Sequence, residues 1–164
     1  MSNPSKSKGT AAETAALRWL REHGFPWTER LTLAGIHDRG DLSLLPGCAV
    51  IAEVKNTKQG ATGQPPAKVL HDWMRQTETE RVNAHADHAA LIVKRGGTTD
   101  VGRWFAYLPL AHLLHIERGA NSPTHDDNHA GAYRTPVCVT VAAWTELLRR
   151  GGWGQPWDDE EATA

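Results

Sequence analysis

The chain has 164 residues, 40% of them hydrophobic and 23% charged, with a formal net charge of −1. That length suits one domain, and the composition argues against wholesale disorder. No apolar run approaches the roughly 20 residues of a membrane span, the polar N-terminus MSNPSKSKGTAAE lacks the apolar core of a secretory signal, and Cys48 and Cys138 share no metal-type spacing. A soluble, reduced, cytoplasmic protein is expected. The charge is uneven: residues 1–103 carry +3 and residues 104–164 carry −4, with the run Asp158 to Glu161 supplying the negative excess. Charge alone does not announce a nucleic-acid binder.

In chain order, residues 1–8 are polar and expected to be flexible. A helical pattern runs from Thr10 to His23 and stops at Gly24, with Pro26 behind it. Residues 28–35 read as a strand, 41–45 as a second closed by Pro46-Gly47, and 48–55 as a third, rich in β-branched residues. After a loop, Pro65-Pro66 opens a long helix to Ala86, since proline suits a first turn. Strands follow at 90–95 and 103–110, then a short helix over LAHLLHIE, a loop over 119–135, a strand at 136–141 and a helix to Arg150. This order predicts an α/β fold, a mixed central sheet flanked by helices. Residues 9–150 form its single domain, and 151–164 a Gly/Trp/acidic tail.

The informative residues are acids in apolar surroundings. Alternation along 48–55 puts Val50, Ala52 and Val54 on one face and Ile51, Glu53 and Lys55 on the other. Burying an unpaired charge costs several kcal/mol (roughly) or shifts its pKa. Glu53 and Lys55 are spaced to form an ion pair. In a three-stranded meander, however, Asp41 comes to lie beside Glu53. Two adjacent carboxylates repel unless a cation lies between them, and oxygen ligands favour Mg²⁺ or Mn²⁺. Glu13, with Leu17 and Leu20 at i+4 and i+7, lies on the apolar stripe of the first helix and points toward the sheet.

Asp41, eleven residues and then Glu53-Val54-Lys55 give the pattern D-x(n)-E-x-K, which resembles the core of the PD-(D/E)xK nucleases and their restriction-endonuclease-like fold. More specifically, about the first 115 residues resemble archaeal-type Holliday junction resolvases. The features are Lys8-Gly9 followed by Glu13, His23-Gly24-Phe25, Arg30, Gly40-Asp41-Leu42, Glu53-Val54-Lys55, Gln76, and ALIVKR followed by RWF. Gly40 stands where the motif's proline is expected, and no QxxxY follows the Glu-Val-Lys, which separates the chain from RecB-like exonucleases.

The resemblance implies an Mg²⁺-dependent endodeoxyribonuclease, with Mn²⁺ as a substitute, that resolves branched DNA as a homodimer. It implies that Asp41 and Glu53 ligate the metal with the Val54 backbone carbonyl, that Glu13 assists through water, and that Lys55 positions or activates the attacking water. Two alternatives stay open: a nuclease of the same fold cutting duplex, nicked or damaged DNA, and an inactive DNA-binding module. Gln76 reads either as support for the site or as a surface residue. Lys6, Lys8, Arg30, Arg39, Lys58 and Lys68 surround the site in sequence and are candidates for phosphate contacts, which position DNA without reading its sequence.

Among the remaining residues, the His125 to His129 run has metal-capable side chains but lies in a polar loop. His112 and His115 are expected to be half-buried, Cys48 and Cys138 to be small core residues, and Trp153 either to anchor the tail on a partner or to be disordered.

Overall fold

The computed structural model describes residues 4–32, 38–56, 63–121 and 135–156. Helix α1 (Pro4–Glu22) leads into strands β1 (Glu29–Arg30), β2 (Leu42–Ser43) and β3 (Val50–Lys55). Helix α2 (Ala67–Ala84), strands β4 (His88–Val93) and β5 (Phe105–Pro109), helix α3 (Leu110–Arg118), strand β6 (Pro136–Thr140) and helix α4 (Val141–Arg150) follow. The fold is mixed α/β. Its six strands lie in the sheet in sequence order. β1 to β3 form an antiparallel meander, β3 and β4 are parallel, and β4 to β6 are antiparallel again. The parallel pair needs a crossover connection, and α2 provides it.

The two sheet faces bury different partners. Val50, Ala52 and Val54 of β3, with Ala90 and Ile92 of β4, meet Ala12, Ala16 and Leu20 of α1 and Trp144 and Leu148 of α4. The alternate residue, Ile51, meets Ala84 and Ala89 on the face that α2 covers, where Leu91 and Val93 also meet Leu70, Trp73 and Met74. Full burial of a Leu or Ile side chain contributes about 1.5–3 kcal/mol. These two layers therefore hold β3 as a central strand, and any charge on it is carried inside.

Several expectations need correction. α1 begins at Pro4, inside the segment expected to be flexible, because proline is tolerated in a first helical turn. Its buried stripe is Ala12, Ala16 and Leu20, so Glu13 and Leu17 flank the core and do not line it. The second strand is only Leu42–Ser43, and the third starts at Val50, since a 3-10 turn over Pro46–Cys48 takes its expected first residue. Trp153 belongs to this chain's own core: it is 4% exposed, its N–H bonds the Leu148 carbonyl, and its ring stands edge-on to His88 at 4.7 Å. The domain thus continues past Arg150. His112 and His115 are buried, with His115 Nδ1 3.0 Å from His88 Nε2. Cys138 is exposed, because β6 ends the sheet and only half-buries its alternate side chains, and Cys48 is half-buried. The His125–His129 run and the acidic run 158–161 lie outside the described residues. No described helix is long and apolar enough to cross a membrane.

Candidate active site

The site forms where β2 stops and β3 continues. Gly40 takes φ +90°, a conformation that side chains rarely adopt, and so turns the chain into Asp41. The Asp41 N–H donates to the Ala52 carbonyl, and its own carbonyl accepts from the Leu31 N–H. Both bonds tie Asp41 into the meander one residue before β2. Its carboxylate Oδ2 accepts the Val54 N–H at 2.8 Å. Lys55 uses its carbonyl toward β4, where Lys94 N–H bonds it. By alternation, the Val54 N–H and C=O both face the β2 side, toward Asp41.

Glu53 points to the opposite face from Val54, beneath α2, and is 5% exposed. Burial first, and the charge of Asp41 second, push its carboxyl up to about 8, against the opposing pull of Lys55; Glu80 adds to the upward shift. Lys55 Nζ donates to Glu53 Oε1. Gln76 of α2 reaches both: its Nε2 donates to Glu53 Oε1 at 3.2 Å, and its Oε1 accepts from Lys55 Nζ at 3.4 Å.

The α1 side supplies a third acid. Glu13 Oε2 accepts from Arg30 Nη1 at 2.9 Å, and Arg30 Nη2 also donates to the Thr10 carbonyl and to Thr14 Oγ1. Burial, then the charge of Asp41, raise the Glu13 pKa, while Arg30 lowers it. The charge of Asp41 is thus felt both by Glu13 of α1 and by Glu53 of β3.

The structure thus brings Glu13, Asp41, Glu53, the Val54 backbone, Lys55 and Gln76 to one end of the sheet. Arg30 was a candidate for a phosphate contact; its guanidinium is instead engaged with α1. Lys8, Arg39 and Lys68 are exposed. Lys58 lies outside the described residues, and only the helical backbone is described for Lys6.

Sequence reading missed Glu80. It is 1% exposed, and its Oε1 accepts from Gln76 Nε2 at 2.8 Å. Its Oε2 has no hydrogen-bond partner among the described residues. Burial raises its pKa, with the charge of Asp38 contributing. The signal was present: Thr77, Glu80 and Ala84 follow i, i+3, i+7 and form the buried stripe of α2.

The donor set fits a hard divalent cation. Four carboxylates, Glu13, Asp41, Glu53 and Glu80, face two cationic side chains, Arg30 and Lys55. Among the described residues no three His, Cys, Asp or Glu side chains form a ready-made metal cage. Mg²⁺ requires none, because it keeps several waters and takes about one or two carboxylates.

Comparison of the chain with protein-family models, with curated proteins and with solved structures gave no match in any of the three.

Proposed function

We propose that the protein is an Mg²⁺-dependent endodeoxyribonuclease of the PD-(D/E)xK type that cuts four-way DNA junctions as a homodimer. The observation that carries this reading is the coupling of Asp41 to the buried Glu53, beside Lys55, at the open end of a three-stranded meander. A structural ion pair would need only Glu53 and Lys55. Adding Asp41 makes burial of the pair less favourable, unless the acids exist to hold a cation. The order of a helix, a meander, then a helix crossing to a parallel strand supports a restriction-endonuclease-like architecture.

In this reading Asp41 and Glu53 would hold the metal, with the Val54 carbonyl on the Asp41 side, and Glu13 would assist through water. When bound, Mg²⁺ lowers the pKa of water and polarises a phosphodiester. Lys55, steered by Glu53 and Gln76, donates from Nζ to the attacking water and holds it in line. The water oxygen would bond to phosphorus as its proton passes to bulk solvent, the bond from phosphorus to the 3′ oxygen would break as that oxygen takes a proton from solvent, and a 5′-phosphate and a 3′-hydroxyl would result. Arg30 fixes Glu13, and the exposed Lys8, Arg39 and Lys68 contact phosphates beyond the scissile one. Two copies related by a twofold axis would place two such sites on a junction.

The test is a cleavage assay with Mg²⁺ on a four-way junction and on linear duplex of the same sequence. Paired symmetric nicks on the junction alone are expected. Equal cutting of both substrates would make the protein a general duplex nuclease. Junction binding with no cutting at any Mg²⁺ or Mn²⁺ concentration would leave a binding module and overturn the catalytic reading.

A further inference from the structure

We propose that Glu80 is a positioning residue, which anchors the Gln76 amide and through it sets Glu53 and Lys55 for metal and water. The inference deepens the nuclease reading and rests on it. An amide nitrogen carries two hydrogens and an amide oxygen carries none. The Gln76 nitrogen spends both, one on Glu80 at 2.8 Å and one on Glu53 at 3.2 Å, and its oxygen meets the Lys55 ammonium at 3.4 Å. Only this orientation turns donors toward the two carboxyls and the acceptor toward the cation.

The contact to Glu80 is the shortest of the three, and it lies within one helix at i, i+4, a spacing suited to such pairs. Gln76 is an exposed residue, whereas Glu80 is 1% exposed and held in the buried stripe of α2. A long, exposed side chain would otherwise sample many rotamers. Glu80 removes that freedom from the buried side, so that the amide reaches Glu53 and Lys55 already oriented. A purely structural residue on this stripe would be apolar, like its neighbour Ala84 on the next turn. A buried carboxyl that bonds Gln76 and interacts with the Glu53 carboxyl is an expensive choice for packing alone.

The test uses the full chain with Glu80→Met, which keeps length but removes the acceptor, Glu80→Gln, which keeps an acceptor, Gln76→Met, and the double Met variant. The first readout needs no metal: the Gln76 side-chain amide protons, assigned by their loss in Gln76→Met, are followed by ¹⁵N–¹H NMR. In the native chain both protons are expected downfield of free glutamine. Glu80→Met should return one to the free position, and Glu80→Gln should keep it shifted. The second readout is Mn²⁺ affinity and cleavage, expected to fall about 10- to 100-fold in Glu80→Met and in Gln76→Met, and no further in the double variant.

Free-like amide shifts in the native chain, or losses that multiply in the double variant, would overturn the positioning role. So would an unchanged Mn²⁺ affinity and cleavage rate in Glu80→Met. A native chain that shows the amide shifts yet neither binds Mn²⁺ nor cuts DNA would overturn the nuclease reading itself, with the hydrogen-bond network intact. The two failures are thus distinguishable.

Discussion

At the start of β4, His88 and His115 lie 3.0 Å apart, with Trp153 edge-on to both rings, and all three are buried. At the β2–β3 end of the same sheet, Glu53 is buried beside Glu80, with Asp41 close enough to raise its pKa. Both regions place polar groups in the interior, where an unsatisfied group costs about 1–3 kcal/mol. The histidine region answers that cost inside the chain, with the His88–His115 hydrogen bond and edge-on packing of both rings against Trp153. The acidic region answers it only in part, because Lys55 and Arg30 are outnumbered by carboxylates. A region of buried rings packed on one another reads as core. A region with more carboxyl groups than cations, each carboxyl pushed toward its neutral form, is in the proposed reading one that a divalent cation would relieve.

The largest expected effect separates the two regions by function. Asp41→Asn or Glu53→Gln should lower junction cutting by about 10³-fold or more, with junction affinity largely kept, as measured by single-turnover cleavage and by gel shift. Equal activity in either variant would remove the catalytic assignment. His88→Ala should do the opposite. It should cost about 2–3 kcal/mol in urea unfolding, by opening a cavity and depriving His115 of its partner, while the folded fraction cuts at the native rate.

pH sharpens the contrast. The Glu53 carboxyl lies near 8 in the folded chain, against an ordinary 4.5. Between those values the folded state binds a proton that the unfolded state has released, so metal-free stability should fall as pH rises from about 4.5 to about 8. The raised Glu80 and Glu13 carboxyls act with the same sign. Thermal melting across that range should show the decline, Glu53→Gln should flatten it, and Mg²⁺ should oppose it most at the alkaline end. A melting temperature that rises through this window would contradict the assignment.

The smallest effect expected is that of Arg30→Met. It breaks a partly exposed ion pair with Glu13 and should cost about 1 kcal/mol or less of stability. It should also weaken Mn²⁺ binding by about a few-fold, because Glu13 loses its clamp.

Much of this arrangement was legible in the sequence. The β-branched run at 50–55 and the Pro65-Pro66 start placed β3 and α2 closely, because period and punctuation are local signals. Asp41, Glu53 and Lys55 stood out because charge in an apolar strand is costly. Glu80 did not, because an acid on a long helix has an unremarkable solvated alternative, and only packing against the sheet shows which side faces inward. Trp153 and the histidines were misjudged for the same reason. Their burial depends on how the chain returns after α4 to cover His88, a tertiary contact with no local signature.

The most direct measurement is a crystal structure of the full chain grown or soaked with Mn²⁺, using its anomalous signal. A peak is expected within about 2.0–2.3 Å of carboxylate oxygens of both Asp41 and Glu53, close to the Val54 carbonyl. An ordered site with both side chains in place and no manganese between them, or manganese bound only elsewhere, would contradict the claim that these acids are brought together to hold a divalent ion.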